Sequence, residues 1–105
     1  MADKRDMMNI AEIPYESGEV QFRYERVLAP DGKRWTRNGL FQAYHRNGVL
    51  ATEGTYANGA ETGLWRDYHV NGQLAAEGDY REGRKVGRWR FWDVEGKPQT
   101  AEDYG

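Results

Sequence analysis

The chain contains no cysteine, which excludes disulfide bridges and thiolate metal sites and leaves no indication of the redox compartment. It also lacks any run of about 18 apolar residues that could span a bilayer. Its first 14 residues have no apolar segment of the secretory type. We therefore expect a cytoplasmic location.

An excess of charge of one sign is also missing. Fifteen basic residues stand against 17 acidic ones, and the net charge is −2. General affinity for nucleic acid requires a clear positive excess or patch, so no nucleic-acid partner is expected.

Glycine and aromatic residues are what the chain does have. There are 13 glycines, four tryptophans and seven tyrosines in 105 residues, although only 38% of the residues are hydrophobic. The apolar content is therefore concentrated in a few large rings separated by very short side chains. This composition is typical of repetitive sheets with tight turns, and the length fits one domain.

The sequence repeats itself with a period of 24 residues. Segment 39–62 aligns with 63–86 without a gap, and 12 of the 24 positions are identical. A truncated third copy follows over 87–105, with Gly87, Trp89 and Tyr104 at equivalent positions. A fixed period in the twenties predicts one small structural unit stacked several times.

Each unit has the pattern of a β-hairpin. The predicted strand pairs are 40–45 with 50–56, 64–69 with 74–80, and 88–93 with 98–104. Their turns carry Asn47-Gly48, Asn71-Gly72 and Glu95-Gly96, and glycine-rich links join the units. Asn-Gly between such runs predicts a two-residue turn of type I′, in which both residues have φ > 0. A degenerate first unit is predicted before them, with 20–29 returning as 34–37 around Asp31-Gly32.

The N-terminal part, residues 1–18, has no such periodicity. Asp6 could cap a short helix over 7–12 that Pro14 ends, and disorder is the alternative. The repeat domain is predicted to cover 19–105.

The hairpin registers divide the side chains between two faces. Phe41 is expected opposite Gly54 and Trp65 opposite Gly78, so that each ring covers glycine backbone. In the last unit Trp89 meets Glu102 instead. No helix long enough to form a second layer is predicted. The sheet must therefore curl, recruit its N-terminal segment, self-associate or bind a partner.

Residues Gly63, Trp65, Tyr68, Asn71-Gly72 and Leu74, followed by further matches, resemble the unit of the MORN-repeat variant described in bacterial proteins. The remaining matches are Glu77, Gly78, Tyr80, Gly83 and Gly87. The resemblance covers 39–105 well and 19–38 loosely. It implies an elongated, single-layer antiparallel sheet of successive hairpins. It also implies an antitoxin-like or immunity-like protein that binds a toxin, or a scaffold at a membrane surface, and it supplies no catalytic residue.

The sheet face opposite Phe41 and Trp65 carries the candidate interface. Aromatic residues and arginine dominate measured interface energies. Because no second layer covers both faces, one of them is expected to remain accessible. The predicted partner-binding residues are Tyr44, Glu53, Arg66, Tyr68, Glu77, Arg90 and Trp92.

Three other groups of residues were weighed for chemistry. The histidines His45 and His69 repeat beside turns without a third ligand and are interpreted as solvated, so no metal is expected. Glu53 and Glu77 recur with the repeat, and we interpret them as cross-strand partners of Gln42 and Arg66 rather than as acid–base catalysts. The basic patch, Arg81, Arg84, Lys85 and Arg88 with Arg90 beside it, is interpreted as a solvated link; anionic lipid is the alternative ligand.

The sequence thus predicts a non-enzymatic protein-binding module without cofactors. The favoured function is an antitoxin or immunity protein that masks the active surface of a cognate toxin. The alternative is a scaffold or membrane-surface adaptor that binds anionic lipid through the basic patch, and a homodimer is left open.

Overall fold

The computed structural model describes residues 8–105, which form one open antiparallel sheet. The strands are β1 (Met8–Pro14), β2 (Val20–Leu28), β3 (Trp35–Tyr44), β4 (Leu50–Ala57), β5 (Ala60–Tyr68), β6 (Leu74–Arg81), β7 (Arg84–Phe91) and β8 (Glu102–Tyr104). Each strand pairs with its neighbours in chain order, and the sheet measures 53 × 39 × 17 Å. The predicted fold class, a single-layer sheet of successive hairpins, is confirmed.

The N-terminal segment is a strand where the sequence predicted a short helix or disorder. β1 pairs with β2 from Met8 opposite Val27 to Pro14 opposite Val20. The open edge of β2 offers a full ladder of backbone partners, and this tertiary pairing outweighs weak local preferences. Asp6 and residue 7, the start of the predicted helix, lie outside the described residues.

The first unit is less separate than the sequence predicted. Segments 34–37 and 40–45 merge into one strand, β3, which pairs with β2 along both parts. The pairing shifts at Gly39, whose φ is +110°. There the Glu25 carboxylate accepts a hydrogen bond from the Leu40 backbone N–H at 2.6 Å. A bulge thus replaces the expected break between units.

The turns after β3 and β5 are not of the predicted type. In the first of them, His45 N–H donates to Val49 O at 2.8 Å, which leaves a three-residue loop. Only Gly48 has positive φ, and Asn47 uses its side chain to accept the Val49 N–H at 3.0 Å. The loop at Asp31-Gly32 likewise has positive φ at glycine alone. The type I′ prediction was wrong at these sites because a side-chain hydrogen bond stabilises the longer loop.

Two-residue turns occur instead at the links between units. Asn58 and Gly59 have φ of 51° and 87°, and Glu82 and Gly83 have 51° and 83°. Ala57 pairs directly with Ala60 across the first of these turns. The links are therefore the tight hairpins of the fold.

The core is a ladder of aromatic rings on one face, which we call the aromatic face. Phe41, Trp65 and Trp89 are its buried members. Packed against them are Phe22, Tyr24, Ala43, Tyr56, Tyr80, Phe91 and Tyr104. Tyr56 and Tyr80 stand between successive core rings at centroid distances of 5.2 to 5.7 Å, edge to face. Such pairs add to the stabilisation that area burial alone supplies.

Glycine makes room for the tryptophans, but across a different strand pair from the predicted one. Trp65 is in register with Gly78, as expected, whereas its ring lies over Gly54 on the other side. The ring of Trp89 in turn covers Gly78. Each glycine is thus covered by the tryptophan of the following unit.

Candidate functional site

The face opposite the aromatic ladder, which we call the polar face, carries one continuous row of charged and polar side chains. Direct register partners link strands β1 to β7 in this row, one residue from each strand. We call it the charged row; its members are Glu12, Arg23, Gln42, Glu53, Arg66, Glu77 and Arg90. Residues directly opposite each other on paired strands share a face, so the row crosses almost the whole sheet.

Neighbours in the charged row are bonded to each other in pairs. Gln42 Nε2 donates to Glu53 Oε2 at 2.9 Å, and Arg66 Nε donates to Glu77 Oε2 at 2.8 Å. Arg23 Nε lies 3.4 Å from Glu12 Oε1. The two cross-strand partnerships predicted from the sequence are therefore confirmed.

The electrostatics of the row centre on Arg66. Its hydrogen bond to Glu77 is the main cause that raises the pKa of the guanidinium, and Tyr68 adds to the same direction. The guanidinium is exposed, so the pair is a surface feature of modest stabilising effect. Its importance lies in fixing the position of a positive charge next to a tyrosine.

Aromatic side chains border the charged row on the side of the three-residue loops. Tyr44, Tyr68 and Trp92 each follow a row member by two positions on the same strand, and all three are partly buried. Tyr44 Oη is 3.2 Å from Gln42 Oε1. Trp92 lines a shallow depression of about 460 Å³ with Arg88, Arg90 and Pro98.

Exposed leucines border the row on the other side. Leu40 and Leu64 precede row members by two positions and remain 42% and 46% exposed. Ile10, two positions before Glu12, is 54% exposed. Both borders of the row therefore contain apolar or aromatic side chains.

The structure brings all seven predicted partner-binding residues onto the polar face. Four of them, Glu53, Arg66, Glu77 and Arg90, lie in the charged row, and the other three form its aromatic border. Sequence reasoning missed Glu12 because β1 was not predicted to be a strand, and Arg23 because 20–29 was predicted to pair with 34–37 rather than with Gln42. It also missed the leucine border, although the 24-residue spacing of Leu40 and Leu64 was the available signal.

The predicted basic patch does not form one surface. Lys85 extends over the aromatic face, with its Nζ 4.9 Å from the centre of the Trp89 ring. Strand alternation places Arg84 and Arg88 on the polar face, and Arg88 lies 3.9 Å from Asp103. Arg81 is the register partner of Arg84 and shares its face.

The two histidines connect consecutive units. His45 Nε2 lies 2.8 Å from Tyr68 O, and His69 Nε2 lies 2.8 Å from Trp92 O. Asp93 occupies the equivalent position in the third unit, where its carboxylate accepts the Glu95 and Lys97 backbone N–H groups at 2.9 Å. Within residues 8–105 there is no group of three or more His, Asp or Glu side chains placed to hold a metal ion.

Comparison with known families supports the repeat organisation. Residues 37–58 and 61–82 match the family model of the MORN repeat variant. These two segments are similar to MORN-variant repeats. MORN repeats are generally non-catalytic modules that mediate binding to protein or membrane. No curated protein and no solved structure matches the chain.

The two matched repeats span β3 to β6 and contain the centre of the charged row. Both matches end at the first residue of a two-residue turn, Asn58 or Glu82, so each matched segment covers one three-residue-loop hairpin and reaches into the turn that follows it. In the part of the chain that the structure describes, no helix has the length and apolar character needed to cross a membrane.

Proposed function

We propose that this chain is a non-catalytic protein-binding module that docks its partner on the polar face. The observation that carries the proposal is the charged row, held in fixed positions by cross-strand bonds and bordered on both sides by accessible apolar side chains. Interface energy concentrates in aromatic and arginine residues that a partner can desolvate. Tyr68, Trp92 and Arg66 have these properties on a sheet face that no second layer covers within residues 8–105.

The alternation of charge in the row favours a folded protein over a uniformly charged polymer. Along the row Arg23, Glu53, Arg66, Glu77 and Arg90 alternate in sign, so a nucleic acid or an anionic membrane would meet repulsion at every second charge. A protein surface can supply charges of both signs at defined positions, and this arrangement gives specificity as well as attraction.

We propose further that the partner is a cognate toxin or effector whose active surface this face masks. The support is the resemblance of the repeat to antitoxin-like and immunity-like proteins, together with the geometry of a broad face without a catalytic constellation. Inhibition would be stoichiometric, because the module only covers the partner.

A membrane adaptor is the second candidate. The arginines Arg81, Arg84, Arg88 and Arg90 share the polar face near its C-terminal end, which favours anionic headgroups at that place. Binding of this kind to vesicles rich in phosphatidylserine would fall steeply between low and physiological salt. If vesicle binding disappears at physiological salt, the result favours the protein-binding module over the membrane adaptor.

The decisive experiment compares three single substitutions in affinity capture from the source cell. Tyr68→Ala and Trp92→Ala remove aromatic side chains from the polar face, and Trp35→Ala is the matched control. Trp35 is 43% exposed and stacks with Arg26, whose guanidinium carbon lies 4.2 Å from the centre of its ring, on the opposite face. We expect the first two variants to lose the captured partner and the control to retain it. Equal capture by all three folded variants would show that another surface binds.

A further inference from the structure

The charged row is complementary to itself when it is read backwards. Its order from β1 to β7 is Glu, Arg, Gln, Glu, Arg, Glu, Arg. Reversal places Glu12 opposite Arg90, Arg23 opposite Glu77 and Gln42 opposite Arg66. Two of these three pairs join opposite charges, and the third joins an amide to a guanidinium.

This reversal corresponds to a real symmetry operation. A two-fold axis that lies between two polar faces, parallel to β4, reverses the order of the strands and preserves position along them. Such an axis produces an isologous contact, in which the same patch is used by both copies. Each of the three pairs therefore occurs twice.

The parts of the two borders nearest β4 fit the same operation. Because β3 and β5 exchange places about β4, Leu40 meets Leu64 of the second copy and Tyr44 meets Tyr68 of the second copy. At these places an apolar or aromatic side chain meets its like, whereas farther from the axis Glu25 on β2 faces Asp79 on β6 of the second copy, a like-charge contact. Without a second copy, Leu40 and Leu64 stay 42% and 46% exposed.

One contact on the axis is unfavourable. Glu53 lies on β4 and faces its own counterpart, with Gln42 and Arg66 as its register partners on either side. Gln42 Nε2 already donates to the Glu53 carboxylate, and Arg66 of the same copy is its register partner on the other side. Two arginines thus offset two carboxylates at the centre of the contact.

From these relationships we propose that the polar face pairs with the polar face of a second copy of this chain about a two-fold axis along β4. This inference rests on the proposed function, because it names a partner for the same face. A sheet of 53 × 39 Å offers more than the roughly 800 Å² per partner that a standard interface requires. In the dimer the toxin-masking face is covered, so a toxin would bind in competition with the second copy.

The test exploits the pair Arg23 and Glu77. Within one chain these residues are on β2 and β6, four strands apart, or about 19 Å at the usual strand spacing. That distance exceeds the Debye length of about 8 Å at physiological salt, so they do not interact directly in the monomer. Across the proposed axis they are direct partners.

Arg23→Glu and Glu77→Arg each create two like-charge contacts across the axis, and the combined variant restores two opposite-charge contacts. Sedimentation equilibrium should show a dimer for the original chain. Each single variant should weaken dimerisation by about tenfold or more, and the double variant should recover most of the loss. Circular dichroism and thermal unfolding of each variant verify the fold.

A matched control reverses two charges that the axis does not pair. Glu95→Lys with Lys97→Glu swaps an exposed ion pair of 3.7 Å in the turn between Trp92 and Pro98, and it should leave the dimerisation constant unchanged. A chain that remains monomeric at high micromolar concentration would overturn the inference, and so would a double variant no better than the single ones. In either case, loss of capture by Tyr68→Ala and Trp92→Ala would still support the proposed function.

Discussion

The ring of Trp65 lies directly over the backbone of Gly54. A β-carbon added to this glycine would be 2.0 to 2.5 Å from three atoms of the indole, well inside van der Waals contact. The indole N–H donates to Thr55 O at 3.2 Å, which fixes the ring in this position. Trp89 repeats the arrangement over Gly78 and donates to Asp79 O at 3.1 Å. The glycines therefore serve as sites of ring packing, and neither is needed for a positive φ.

We expect Gly54→Ala to destabilise the protein by about 2–3 kcal/mol, because the added methyl group forces the indole away from its seat. Urea unfolding measures the change. Trp65→Phe should reduce the effect of Gly54→Ala, since the smaller ring can move aside. A double-mutant cycle without any coupling between the two positions would contradict the packing explanation.

The natural sequence already combines a smaller ring with a larger neighbour, between β2 and β3. Tyr24 is in register with Phe41 where the later unit would have glycine beside tryptophan, and the two rings stack at 5.9 Å. The smaller ring, Phe41, thus packs beside a tyrosine, whereas the larger rings, Trp65 and Trp89, pack over glycines.

The two tight turns provide a matched pair of substitutions. Asn58 and Glu82 occupy equivalent positions with φ of 51°, and asparagine tolerates this region better than glutamate. Glu82→Asn should raise the free energy of unfolding by about 0.5–1 kcal/mol, and Asn58→Glu should lower it by a similar amount. Thermal unfolding of both variants checks the opposite signs; a shift in the same direction would be inconsistent with a backbone origin.

The stability should fall at alkaline pH through Tyr80. Burial, followed by the nearby charges of Glu61 and Asp67, raises the pKa of its phenol. The folded state therefore holds this proton more tightly than the unfolded chain, whose tyrosines titrate near pH 10. The stabilisation is complete below about pH 10 and is lost as the pH rises through the folded pKa. Denaturant unfolding from pH 8 to 11.5 should show a smaller decline for Tyr80→Phe; an identical decline would exclude this origin.

The histidine links between units should contribute to stability without any metal. His69→Ala removes the hydrogen bond to Trp92 O and should lower the free energy of unfolding by about 0.5–1.5 kcal/mol. Arg81→Ala, an exposed change with no hydrogen-bond or ion-pair partner in the described residues, is the control. Equal stability of the two variants would show that the link carries no energy.

The sequence predicted those parts of the fold that depend on the repeat period. The register of Phe41 with Gly54 and of Trp65 with Gly78 follows from alternation along strands on either side of a turn, whatever the loop type. The pairing of Arg66 with Glu77 follows from the same register. These features lie within one hairpin, so they can be predicted from a single 24-residue unit of the sequence.

The remaining features depend on contacts between units. The direction in which Trp65 leans is decided by the space above Gly54 on the strand before it, and a single hairpin does not show that space. The strand at Met8–Pro14 forms because β2 has an open edge, and its sequence carries little β signal of its own. The charged row could therefore be predicted from β3 to β7 but not at Glu12 and Arg23.

Because each glycine is covered by the tryptophan of the next unit, the units pack in one direction along the sheet, from the N-terminal to the C-terminal end. Glu102 stands at the position of Gly54 and Gly78 in the last unit, so that strand offers no seat for another indole. Its carboxylate instead accepts a hydrogen bond from the Tyr104 hydroxyl. A tryptophan on a strand paired beyond Glu102 would therefore need glycine at 102, whereas a smaller ring could pack beside a larger side chain, as Phe41 does beside Tyr24.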